Sequence, residues 1–108
     1  MALYMSQFSY TIEATAAMAK NPQDRSAGLK KFIEEMGGQL IGIYFCFGDY
    51  DGVVIAEMPD NVTTLALDMA VITAGHIKAL KTTVLLPMEE TVKAMKMANK
   101  LVYKGPEG

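Results

Sequence analysis

The chain has one histidine, His76, and its sequence puts carboxylates and phenols within reach of it. A histidine beside a carboxylate serves as a general base near neutral pH, and a phenol supplies a hydrogen-bond donor. Asp49, Tyr50 and Asp51 sit in one short connection, and Ser9 and Tyr10 end the first predicted strand. His76 stands at the start of the last one. With sheet order 4-1-3-2, these three ends fall on one edge, so His76, Asp51 and Tyr50 are the candidate catalytic group. Their residue types also fit a plainer reading. Aspartate and glycine are ordinary turn formers, and a histidine at a sheet edge is ordinarily just solvated.

Tyr10, Tyr44, Cys46 and Met69 are the candidate ligand-binding residues. Tyr44 and Cys46 alternate onto one face of the second strand, where they line a pocket or fill the core. The frequent burial of free cysteine favours the core. Nothing basic beside Cys46 in the sequence points to a thiolate. Nine methionines are many for 108 residues. Met58, Met69 and Met95 would suit an irregular apolar ligand, and thioethers fill cores equally well. Lys93, Lys96, Lys100 and Lys104 follow helical spacing, as a solvated face or a surface for an acidic partner.

Much chemistry is excluded at this stage. No phosphate loop, dinucleotide fingerprint or nucleophile elbow is present. One cysteine and one histidine are too few for a zinc site within one chain. Haem binding by His76 has no supporting motif, and no cofactor is expected. A net charge of −2 gives nucleic acid no bulk attraction. No apolar run is long enough for a membrane span, and the first residues do not read as a secretion signal. The lone cysteine fits a reducing cytoplasm.

The elements that would position these groups follow from periodicity. Ala2–Tyr10 alternates as a strand, and Thr11 caps a helical segment over Ile12–Lys20. Asn21-Pro22 interrupts it, with Pro22 predicted to start a second segment. Leu29, Phe32, Ile33 and Met36 form its buried stripe, and Gly37-Gly38 stops it. Gln39–Phe47 reads as a strand apolar on both faces, with Ile41, Ile43, Phe45 and Phe47 opposite Leu40, Tyr44 and Cys46. A turn and a third strand, Val53–Met58, complete a hairpin. Asp60-Asn61 opens a long helix whose core stripe is Val62, Leu65, Ala66, Met69 and Ile72. After Gly75 come a strand over Ile77–Leu86 and a last helix from Pro87 to about Tyr103. Residues 1–104 form one domain, and 105–108 a loose tail.

This order, β-α-β-β-α-β plus a C-terminal helix, predicts an α+β ferredoxin-like fold. Its helices cover one sheet face only. A second strand apolar on both sides needs another cover, and a second copy of the chain provides it. The expected assembly is a homodimeric α/β barrel or a higher oligomer. The Asn61–Ile77 stretch carries one charged residue, Asp68. Its helix therefore packs beside the terminal helix or forms a further subunit interface.

At Gly48-Asp49-Tyr50-Asp51 the chain resembles the GYD-domain family. The likeness extends through Lys20-Asn21-Pro22, Arg25-Ser26, Gly37-Gly38, Tyr44, Glu57, Pro59-Asp60 and Gly75. It implies the dimeric α/β barrel and no particular activity. Family members often carry a neutral residue and then arginine after the glycine matching Gly75. Here the run is His76-Ile77-Lys78, so the resemblance lends His76 no role. The expected function is binding of a small apolar or aromatic molecule, or of a protein partner. The alternative is a cofactor-free isomerase or monooxygenase using His76 with a hairpin carboxylate.

Overall fold

The computed structural model describes residues 1–106. Four strands, β1 (Ala2–Tyr10), β2 (Gln39–Phe45), β3 (Gly52–Met58) and β4 (Ile77–Leu85), make one antiparallel sheet in the order β2-β3-β1-β4. The helices are α1 (Ile12–Lys20), α2 (Ser26–Glu35), α3 (Asn61–Thr73) and α4 (Met88–Ala98). The predicted order and sheet topology are those of the structure, with the first helical stretch divided in two.

The division falls later than the sequence suggests. Pro22 does not start α2. Residues 22–25 form an irregular link, and Asp24 accepts hydrogen bonds from both the N–H and the hydroxyl of Ser26. The hydroxyl bond first and the N–H bond second hold the Asp24 carboxyl below its usual range, and both fix the chain as it enters α2, whose N-cap residue, Arg25, makes no side-chain cap bond. Asp60 is the N-cap of α3, accepting from Thr63 N–H at 2.7 Å, and this bond likewise lowers its carboxyl pKa. At the end of α2, Gly37 adopts a positive φ of 86°. Gly38 follows because a Cβ there would meet the Glu57 carbonyl at 2.6 Å.

The core lies between the sheet and helices α2 and α3. Tyr4 and Ala56, cross-strand partners, pack there with Met58 and the completely buried Ile33. Of the stripe expected on α2, Ile33, Leu29 and Met36 join this core, while Phe32 stays exposed. Met58 is core. Met69 and Met95 are exposed.

Three expectations are overturned. The first concerns α3, whose exposed row is Val62, Leu65, Met69 and Ile72, the residues expected inside. The sheet side carries Thr64, Leu67 and Val71 instead. A helix apolar all round gives hydrophobicity no side to choose, and polar anchors decide. Tyr4 donates its hydroxyl to Asn61 at one end of α3, and Thr82 donates to Asp68 in the middle.

The second concerns β2. It ends at Phe45, and the register shifts between Leu40 and Gly42 so that Ile41 is the extra residue. Leu40, Ile43 and Phe45 consequently share the helix-facing side, paired with Ala56, Val54 and Gly52. Tyr44 points to the other side and folds over Gly42, where an added Cβ would meet its ring at 2.7 Å. Tyr44 and Cys46 are exposed rather than core.

The third concerns α4. It ends at Ala98, no residue of it is buried, and it does not pack beside α3. The radius of gyration, 17.9 Å, is well above the 13 Å or so of a compact domain of this length, as a projecting helix requires. The tail residues Glu107 and Gly108 lie outside the described residues. No described helix is long and apolar enough to cross a membrane.

Candidate functional site

The turn after β2 is built by hydrogen bonds to its neighbours. Asp51 N–H donates to the Phe8 carbonyl at 2.8 Å, and Cys46 N–H donates to the Asp51 carbonyl at 2.8 Å. The Asp51 carboxylate accepts from Tyr10 N–H at 2.9 Å, and buried Ser9 donates its hydroxyl to the Asp49 carbonyl at 3.0 Å. Gly48 holds a φ of 105°, open only to glycine at low cost. Thr11 N–H donates to the His76 carbonyl at 2.9 Å. The predicted edge is therefore real in its main chain: Ser9, Tyr10, the hairpin and His76 meet there.

Their side chains do not converge in the same way. His76 is exposed, and its contact with the edge is through its carbonyl. One Asp51 carboxylate oxygen is engaged by Tyr10 N–H, a structural bond. The Cys46 thiol donates to the Tyr50 carbonyl at 3.3 Å. No group of three His, Cys, Asp or Glu side chains able to hold a metal gathers among the described residues.

The concave site lies elsewhere, between the helix-facing side of the sheet and helices α1, α2 and α3. It is a cavity of about 440 Å³, within the range of small-molecule pockets. Its walls are mainly hydrocarbon, from residues including Leu29, Ile43, Val54, Val71 and Leu80. At one end stand three aromatic rings. Phe8 meets Tyr10 edge-on at 5.4 Å, and Tyr10 stacks on Phe45 at 5.9 Å. Burial raises the Tyr10 phenol pKa, the Asp51 carboxylate adds to the rise, and the Arg25 guanidinium opposes it. Arg25, with Gln23 and Asp24 from the link before α2, completes this end of the lining.

The floor is polar. Ser6 of β1 and Asp68 of α3 both line the cavity, and Thr82 of β4, behind the lining, bridges them by hydrogen bonds. Ser6 Oγ lies 2.9 Å from Thr82 Oγ1, which donates to Asp68 Oδ2 at 2.7 Å. Ser6 and Thr82 are cross-strand partners, so the sheet register itself sets their spacing.

Of the expected ligand residues, Tyr10 lines this cavity with its ring stack. Tyr44 also borders it, with its ring turned over Gly42 on the outer face. Cys46 and Met69 are exposed and outside the lining. Sequence reasoning missed Ser6, Thr82, Asp68 and Arg25. One signal was available: Asp68 is the lone charge on an otherwise apolar helix, and such a charge needs a partner.

Compared with known proteins, residues 4–95 match the family described as GYD domain. No curated protein matches the chain.

Proposed function

We propose a small-molecule-binding role for this chain, which belongs to the GYD-domain family. The observation that carries the reading is the cavity of about 440 Å³, with hydrocarbon walls, an aromatic end and a Ser6–Thr82–Asp68 floor. Pockets of that size with a few convergent polar groups suit apolar or aromatic ligands. The ligand lies under the helices, and Tyr10 and Phe45 flank it. The protein works in the cytoplasm, where its free, exposed Cys46 stays reduced.

It does so as a homo-oligomer. Leu3, Met5, Val53, Ile55 and Leu85 share the outer face of the sheet by register, and none is buried. A second sheet packed on this face makes the α/β barrel. The outward row of α3 and the projecting α4 are further apolar surfaces for contact between subunits.

Fluorescence titration with naphthalene tests the binding role. Saturable binding that disappears when Val71→Trp fills the cavity is the expected result. Absence of saturable binding by any naphthalene-based probe would overturn it.

A further inference from the structure

The hydrogen polarity of the cavity floor can be followed atom by atom. Thr82 Oγ1 carries one proton and donates it to Asp68 Oδ2 at 2.7 Å. Toward Ser6, 2.9 Å away, Thr82 can then only accept, so the Ser6 hydroxyl proton points at Thr82. Ser6 has spent its proton, and the Asp68 carboxylate has none. What these two side chains offer the cavity is lone pairs. Arg25 is the one basic residue on the described lining, and it belongs to the link before α2 rather than to this floor.

We propose that the cavity selects ring-containing apolar molecules that carry a hydrogen-bond-donating head, a hydroxyl or an amine N–H. The head lies on Asp68 and Ser6, and the ring occupies the hydrocarbon space toward Phe8, Tyr10 and Phe45. Thr82 is a positioning residue: it fixes the Asp68 carboxylate and turns the Ser6 proton away from the ligand. A ligand without a donor displaces water from both acceptors and gives nothing back. Selectivity then comes from the cost of acceptors left unpaired.

The inference rests on the binding role proposed above, and matched probes separate the two. Affinities of 2-naphthol, 2-methoxynaphthalene and naphthalene are measured with the full chain by fluorescence titration. The first two share an oxygen at the same position, and only the first donates. Binding of 2-naphthol at least about tenfold tighter than the other two is expected, as one hydrogen bond to a charged acceptor allows. Asp68→Asn keeps an acceptor for Thr82 and turns an NH₂ group to the cavity, so it should erase that preference. Thermal melting of the variant checks that it folds, and the wild-type comparison decides even if it does not. Equal saturable affinity of all three probes overturns donor selection and leaves the binding role standing. No saturable binding by any of them overturns both.

Discussion

Thr82 and Asp68, 14 residues apart in sequence, are joined by a 2.7 Å hydrogen bond that ties the strand after Gly75 back to the helix before it. The bond fixes which side of α3 meets the sheet. It also holds a carboxylate at the cavity floor. Stability and site chemistry therefore depend on the same two side chains.

Replacing Thr82 by valine keeps the side-chain shape and removes the donor to Asp68 and the acceptor of Ser6. A loss of about 2 kcal/mol is expected, in the range for hydrogen bonds to charged groups in partly buried sites. Urea unfolding at neutral pH measures it. A valine variant as stable as the parent would mean that the bond does not set the rotation of α3.

Gly52 lies directly beneath Phe8, its cross-strand partner. A Cβ at position 52 would meet the Phe8 ring at 2.5 Å, so Gly52→Ala must push that ring aside, with the cavity beside it. Overpacking of this kind costs about 1–3 kcal/mol. Chemical denaturation should register the loss, and naphthalene affinity should fall with it. Unchanged affinity would show that Phe8 moves away from the cavity.

Tyr10 gives the alkaline limb of stability a definite sign. Its phenol pKa is raised in the folded chain, so above the unfolded value of about 10 the folded state keeps a proton that the unfolded state has lost. The stabilisation is complete below that pH and fades as pH rises through the folded value. Tyr10→Phe should flatten this limb in denaturation curves collected between about pH 9 and 12. A limb unchanged in the variant would assign it to other groups.

Met5 faces Ile55 and Thr83 across the outer side of the sheet. If that side is a subunit interface, Met5→Lys buries charges in it and the oligomer dissociates. Native mass spectrometry is expected to find a multiple of the chain mass for the parent and a monomer for the variant. A parent that is monomeric at working concentration would leave the outer face without the second copy proposed for it.

Local pattern by itself determined the element order, the β2-β3-β1-β4 topology and the edge shared by Tyr10, the hairpin and His76. Alternation marks strands, glycines at positions 37, 48 and 75 mark reversals, and few sheet orders satisfy two split βαβ units. Alternation could not anticipate Ile41 as an extra residue, which moved Tyr44 out of the interior that its spacing suggested. Nor could hydrophobicity choose a side for α3, because its apolar residues lie all round. Tertiary structure decided both, the first in the pairing of β2 with β3 and the second through Tyr4 on Asn61 and Thr82 on Asp68. Those bonds link residues far apart in the chain, so periodicity within a single element carries no trace of them. The cavity belongs to the same level: Ser6 and Asp68 become one floor only when strand register and helix rotation are both set.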